Sequence, residues 1–493
     1  MKWLKILVFF IIFLIFIYLR VTPIINQTVP YTYDQGRDFL KVEEMIRDKN
    51  LVFIGPTTGI MGVFHGAWWY YLLSVFYLIF NGWPSGFYIG LFIISTLSIL
   101  IFTYFIYKRF GFLSSLIFFT VSSSSIFAIR LAFFASNNII APLFILLYIY
   151  SLYEYLLSKK IFFLFLIGLA LGFIFEFEVA FGIFFITSFV ISTVVEGSFR
   201  KIYKNFKNIF YLSVGVFIPI IPRLLFEIKN NLIQTKAFAN FVRDPTSTNP
   251  VTYLGAFIDR SKMFINYFFE LFVGNSTFLA ILTLFMVIIF FLNKKIETYK
   301  KNRGVISFLT IQLIGMFFLS TLNKNNFFWS YYLDGIQFIF IFLVLLIINL
   351  NNDKKYLVFK NILVVSIIIF TLFSFRTELS KKPIPSLGLR ADIDTVKYLI
   401  NSNKEQFCLR VYTPPIFPYT YQYLFSYFSK IKRRQYPSGD FINNQCWFII
   451  DHEPYAFRLE KWRKENTPKD SKLIKIKKME NKTNIELWQI PQN

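Results

Sequence analysis

The stretch LKILVFFIIFLIFIYL, Leu4–Leu19, carries one charge in an otherwise apolar run, and runs of this kind recur along the chain, as in FIFIFLVLLIINL at Phe338–Leu350. A bilayer asks for about 20 apolar residues per helix. A soluble core could not cover 66 Phe and a hydrophobic content of 55% in 493 residues. These runs predict a polytopic α-helical membrane protein. The opening MKWLK has the positive start of a signal peptide. No small-residue cleavage site follows and further spans do, so it reads as a retained helix.

The formal net charge is +24. From Arg376 onward there are 21 Lys plus Arg against 12 Asp plus Glu, a surplus of nine. Most of the remaining excess sits in short loops, where it orients a membrane protein. No aromatic-basic module for nucleic acid is visible, so nucleic acid is not an expected partner. A basic tail beside a membrane suits anionic lipid headgroups or phosphate-bearing substrates.

The short basic loops are KRFG (Lys108–Gly111), SKK (Ser158–Lys160), FRKIYKNFK (Phe199–Lys207), NKKIETYKKNR (Asn293–Arg303) and NNDKKY (Asn351–Tyr356). Placing all five in the cytoplasm fits two spans between each consecutive pair. The outer hairpins are then RLAFFASNN (Arg130–Asn138), FEFE (Phe175–Glu178), the long Arg223–Thr277 segment and NKNNFFWSYYLDG (Asn323–Gly335). A last span near Asn361–Phe375 carries the tail outside. Parity requires GAWWYYLLSVFYLIF (Gly66–Phe80), short and rich in Trp and Tyr, to lie at the outer interface rather than to span. The expectation is about eleven transmembrane helices in residues 1–375, with a cytoplasmic N-terminus and an extracytoplasmic domain at 376–493.

The first outer loop, 21–85, contains YTYDQGRDFL (Tyr31–Leu40). After Asp34, residues Phe39, Val42 and Ile46 recur at helical spacing among charges, which predicts a short amphipathic helix resting on the surface. A Gly- and Pro-bearing stretch, LVFIGPTTGIMGVFHG, leads into the aromatic helix, and such a backbone can approach a ligand closely.

This order of span, Asp-bearing outer loop, amphipathic helix, Gly-Pro stretch and short aromatic helix resembles the GT-C class of membrane glycosyltransferases. The nearest types are the protein O-mannosyltransferases and the bacterial lipid A aminoarabinose transferases, and DQGRD here matches the DQxRD of many bacterial relatives. The resemblance covers roughly residues 1–375. It implies transfer of a sugar from a polyprenyl-phosphate donor to a lipid, glycan or protein acceptor on the outer face of the cell membrane.

A phosphate leaving group needs no protonation, so one carboxylate can suffice to deprotonate the acceptor hydroxyl. Asp34 is the candidate base, and the resemblance implies that the residue at this position works as base, as ligand of Mg²⁺, Mn²⁺ or Ca²⁺, or as both. It also suits the N-cap of the helix that follows. Asp38, one turn on, is a second acidic candidate or a surface partner of Arg37 or Lys41. The second acidic position of the family is Gln35 here.

Arg130 opens a hairpin that continues to Asn138, where relatives carry an Arg and then an Asp or Asn near the donor. An Arg fork suits phosphate, although an arginine at this depth also snorkels. Glu176 and Glu178 interrupt an apolar hairpin, which points to function or to a solvated turn. Arg223 and Glu227 are one helical turn apart and can pair structurally, while the family's similar FE-x-R/K stretch implies a substrate role. His65 is a candidate contact to phosphate or acceptor, or a packing residue. Tyr331, Tyr332 and Asp334 lie in the fourth hairpin, where aromatic rings stack on sugars or form an interface belt.

The tail reads as a small α/β domain. Gln406–Pro414 and Gln445–Asp451 are strands, Thr420–Arg434 a helix, and Ser471–Ile490 a hairpin turning at Glu480-Asn481. It offers acceptor recognition or structural cover. Cys408 and Cys446 are either disulfide-bonded, if the tail faces an oxidising space, or buried free thiols. A transporter of lipid-linked sugars is an alternative, but transporters usually show internal repeats and polar residues at the midplane. An O-antigen polymerase or ligase is another, with arginines gathered in large outer loops and no need for the early Asp.

Overall fold

Gly111 shows how local backbone sets the membrane architecture. In a computed structural model of the protein, which describes residues 2–197, 199–243, 251–271, 297–323, 328–349, 388–414 and 417–490, Gly111 alone breaks the run Pro84–Ser124 (α4), at φ 83° and ψ 179°. Phe102 and Phe118 then pack together, with tilted rings whose centroids are 5.0 Å apart. Sixteen residues of straight helix would separate them by about 24 Å. The chain therefore doubles back within KRFG, as the basic loop predicts, and a residue with a Cβ would be strained at that φ.

The other elements before the tail are α1 (Lys2–Ile25), α2 (Tyr33–Arg47), β1 (Ile54–Thr57), β2 (Phe64–Gly66), α3 (Trp68–Ile79) and α5 (Ile126–Phe133). They continue with α6 (Ala141–Ser158), α7 (Ile161–Phe177), α8 (Val179–Val195), α9 (Phe206–Lys229), α10 (Ile233–Arg243) and α11 (Tyr253–Leu271). Last come α12 (Glu297–Leu322) and α13 (Ile336–Ile348). Among the described residues five helices are long and apolar enough to cross a membrane, and α3, α7, α8 and α13 are shorter apolar helices. At 12 residues α3 is too short to span, in keeping with an interfacial role. Of the eleven expected spans, the one following Thr277 and the one near Asn361–Phe375 lie outside the described residues, as does the 375/376 boundary.

The basic loops gather at one end of the bundle. Arg109 of KRFG pairs with Glu154 just before SKK, with contacts of 2.5 and 2.6 Å. Tyr155 meets Phe199 of the third loop, and Ser114 bonds Asn349 just before the fifth. The core between the two ends is a continuous packing of Phe, Tyr, Ile and Leu.

In the tail, α14 (Leu389–Ser402), α15 (Tyr419–Lys432) and α16 (Ala456–Asn466) accompany β3 (Leu409–Tyr412), β4 (Gln445–Ile450), β5 (Lys472–Lys478) and β6 (Asn484–Gln489). The sheet order is β3-β4-β6-β5, with β3 parallel to β4 and the other pairs antiparallel. Cys408 and Cys446 form a disulfide. Helices α14 and α16 extend the expected tail, which the sequence reading furnished with α15 alone.

Candidate active site

Thr32 caps α2 (a correction to the expectation that Asp34 is the N-cap). The Thr32 N–H and hydroxyl both donate to Gln35 Oε1, at 2.8 and 2.7 Å, and Gln35 Nε2 donates to the Ala135 carbonyl at 2.9 Å. This is the reciprocal Thr-x-x-Gln cap, and it also ties α2 to the second hairpin. Asp34 is left in the first turn, where the helix dipole favours a carboxylate. Its side chain is 57% exposed and accepts from Arg37 Nη1 at 3.0 Å.

Arg37 is held from behind. Its Nε donates to Asp38 Oδ1 at 2.9 Å, and Trp69 Nε1 of α3 donates to Asp38 Oδ2 at 2.7 Å. Asp38, 1% exposed, is thus a buried anchor rather than a surface partner. Burial pushes its carboxyl above the ordinary value, with Arg37 and Trp69 acting in the opposite direction. Helix α2 is likewise no free surface helix, because Phe39, Val42 and Met45 are buried beneath α3 and the tail.

A cavity of about 840 Å³ opens beside Asp34. The first loop and all four outer hairpins of the charge-based topology contribute to its wall. Asp34, Arg37 and His65 come from the first, Arg130 and Asn138 from the second, and Glu178 from the third. Phe238 and Phe241 come from α10 in the long segment, and Tyr331, Tyr332 and Asp334 from the last. Nine of the thirteen candidate residues meet here. Asp38, Glu176, Arg223 and Glu227 do not line it.

Arg223 and Glu227 do not serve each other, in contrast to the helical-turn pairing expected of them. Arg223 pairs with Glu176 at 2.6 Å and donates to the Phe64 carbonyl at 2.7 Å and Gln234 Oε1 at 2.9 Å. Glu227 accepts from the backbone N–H groups of Gln234 and Thr235 at 3.0 and 2.9 Å, capping α10. Glu176 and Glu178 also part company, because Glu176 is still in α7 whereas Glu178 is the extended residue between α7 and α8. The Glu176 group fastens an antiparallel β1–β2 hairpin that the sequence reading treated as loop. A Cβ at Gly66 would lie 2.0 Å from Glu176 Oε2, so only glycine admits this contact.

That hairpin presents His65, whose Nδ1 is buried without a protein partner. Burial, aided by Arg223 and Arg37, lowers its pKa to about 3, so it is neutral at ordinary pH. Glu178, in the turn between α7 and α8, is pushed up to about 8 by burial, with Asp334 adding to the shift. Asn138 Oδ1 is also buried without a partner. The Asn137 amide, by contrast, is used at 2.6 Å on the Phe177 carbonyl.

The residues do not fit the expected Mg²⁺, Mn²⁺ or Ca²⁺. Among the described residues no three His, Cys, Asp or Glu side chains group as a metal site. Asp34 already faces a guanidinium, and Gln35 is committed to the cap. Ca²⁺ takes about six to eight oxygen ligands, and Mg²⁺ needs one or two uncommitted carboxylates beside waters and phosphate oxygens.

Neither a family model nor a curated protein matches the sequence. Two solved structures match over nearly their whole length. ArnT from Cupriavidus metallidurans in the apo state aligns with TM-score 0.62 at 9% identity, covering 99% of this chain and 98% of that one. The same protein bound to undecaprenyl phosphate aligns with TM-score 0.58 at 10% identity over the same shares. The chain shares the fold of these two structures, in keeping with the architecture that the GT-C resemblance predicts. At this identity the likeness concerns the fold.

Proposed function

We propose that the chain moves a sugar from a polyprenyl-phosphate carrier to a hydroxyl acceptor at the outer face of a cell membrane. The observation that carries this reading is the mixed wall of the large cavity. Asp34, Arg130 and Asn138 share it with Phe127, Ile183 and Phe184, which suits a ligand that is half lipid and half polar headgroup.

In this reading the acceptor oxygen attacks the anomeric carbon opposite the phosphate, and the proton passes to Asp34. The carbon–oxygen bond to phosphate breaks, and its electron pair leaves with the polyprenyl phosphate. The step inverts the anomeric configuration. Arg130 receives the phosphate through its fork. Asn138 accepts a hydrogen bond from a sugar hydroxyl, and neutral His65 offers a further contact. Glu178, protonated below about pH 8, donates rather than repels. Tyr331 and Tyr332 stack on the sugar. Arg37, locked by Asp38, holds Asp34 in its rotamer as a positioning residue.

The disulfide supports an oxidising space for the tail, which agrees with the outer placement assigned by the basic loops. The test is turnover of a panel of undecaprenyl-phosphate-linked hexoses and pentoses by purified wild type and Asp34→Asn, read as released undecaprenyl phosphate. Turnover by wild type, abolished in the folded variant and indifferent to chelator, is the expected result. Undiminished turnover in Asp34→Asn would move the chemistry elsewhere.

A further inference from the structure

A second cavity, of about 180 Å³, lies between α2, the end of α3 and tail helix α15. It is lined by Glu43, Tyr77, Tyr423, Tyr427, Lys430 and Ile431, among others. Glu43 is 9% exposed, and its Oε1 accepts from Ser426 Oγ at 2.8 Å. Its Oε2 is buried with no partner in the protein. A carboxylate oxygen left so is costly, and a donor that binds there removes the cost.

The chemistry of the wall narrows the donor. Three tyrosine rings around a carboxylate favour a cation. Lys430 in the same wall would repel a bare cation, so the ligand carries an anion as well. A primary ammonium can hydrogen-bond Oε2, whereas a quaternary one cannot. The surroundings are apolar and open, since Leu78 and Ile79, next to Tyr77, are each 66% exposed and Ile431 is 50% exposed.

We propose that this cavity binds a phosphoethanolamine headgroup, with the ammonium on Glu43 and the tyrosine faces and the phosphate on Lys430. A lipid supplies the headgroup together with acyl chains for the flanking apolar residues, and dissolved phosphoethanolamine supplies the headgroup alone. The bound group joins α2, which carries Asp34, to the tail. The site and its test are independent of glycosyl transfer.

The full chain in a neutral detergent is titrated with dissolved phosphoethanolamine, with dihexanoyl phosphatidylethanolamine, and with the phosphatidylcholine analogue. Native mass spectrometry and the thermal midpoint report binding. Saturable binding of the ethanolamine lipid is expected, with the choline analogue and Glu43→Gln each weaker by about tenfold or more, as loss of one charge-assisted hydrogen bond implies. Lys430→Ala, at an exposed position, provides a second arm where Glu43→Gln fails to fold, and it too should weaken binding. Equal binding of the dissolved and lipid forms supports a site for the headgroup alone, and binding of the lipid only supports one that also needs the chains. Binding of neither probe by wild type, equal affinity for the choline analogue, or wild-type affinity in both variants overturns the proposal.

Discussion

Replacing Asp38 by Ala removes the anchor behind Arg37 without touching the cavity wall. Three hydrogen bonds disappear: a long one from the Tyr70 hydroxyl at 3.4 Å, and two short charge-assisted ones, from Arg37 at 2.9 Å and from Trp69 at 2.7 Å. Each of the short ones is worth about 1.5–3 kcal/mol, and breaking a buried pair by deleting one partner costs about 3–5 kcal/mol. The two estimates agree. Unfolding entropy is about 2.1 cal/mol/K per residue, so a cooperative unit of 493 residues has about 1 kcal/mol/K. The thermal midpoint should therefore fall by roughly 3–5 °C. With Asp38 gone, Asp34 becomes the remaining carboxylate facing Arg37, and the pair is free to shift. A displacement of 1 Å at a reacting group can cost about 100-fold in rate, so turnover at a temperature well below the midpoint should fall on that scale. Asp38→Asn keeps an acceptor for Trp69 and should lie between wild type and Ala on both scales. Scanning fluorimetry in detergent and donor turnover check this. Wild-type midpoint and turnover in Asp38→Ala would refute the claim that Asp38 holds Asp34, the proposed base, through Arg37.

Three further outcomes follow from other contacts. Glu178, raised to about 8, keeps its proton in the folded state over a window where the unfolded chain has lost it. Wild type should thus lose stability as pH rises from about 4.5 to 8, and Glu178→Gln should lose less, by a few kcal/mol, in melts across that range. Arg223→Gln strands the buried Glu176 carboxylate and should cost about 3–5 kcal/mol, and adding Glu176→Gln should recover part of it in a double-mutant cycle. Gly36→Ala would bring a Cβ to 2.4 Å from Thr420 N, so α15 must shift. Limited proteolysis of the tail should then run faster than in wild type.

What could be read from sequence was whatever rests on local composition. The apolar runs, the break at the basic KRFG, the shortness of α3 and the burial of Phe39 and Val42 all follow from spacing and charge. Thr32 is also legible, because Thr-Tyr-Asp-Gln has the capping-box pattern beside the more conspicuous Asp34. In α14, Leu389, Ile393, Val396 and Ile400 recur at helical spacing and would have identified that helix. Other features depend on distant residues. Arg223 has Glu227 within reach along its own helix, yet its partner is Glu176, 47 positions earlier. The β1–β2 hairpin is short and interrupted by glycines, and its strand Phe64–Gly66 is pinned by Gln234 of α10 and Arg223 of α9. No periodicity encodes such a contact. The buried Asp38 was hidden for the opposite reason, since an Asp beside an Arg on a charged helix looks like a solvated pair.

The tail bears on the site through α2 rather than through the cavity, among whose described lining residues it has none. The Tyr31 hydroxyl donates to the Thr420 carbonyl at 3.1 Å, and the rings of Tyr33 and Tyr419 lie 5.0 Å apart on either side of the cap. At the start of α14, the Leu389 and Arg390 amides donate to the Val29 and Gln27 carbonyls at 3.0 and 2.8 Å, holding the chain just before α2. Tyr423 reaches the Gly82 carbonyl at 2.5 Å, on the far side of α3. A polar loop beside a bilayer would ordinarily be mobile. Here its entry, its helix and its exit are each bonded to one folded unit, while Asp34 stays exposed on the cavity side. A carboxylate that must meet a reacting centre works best when its support does not reorganise. These bonds give the tail the character of a splint for α2, through which it can act on the chemistry proposed for Asp34 without lining the cavity among the described residues.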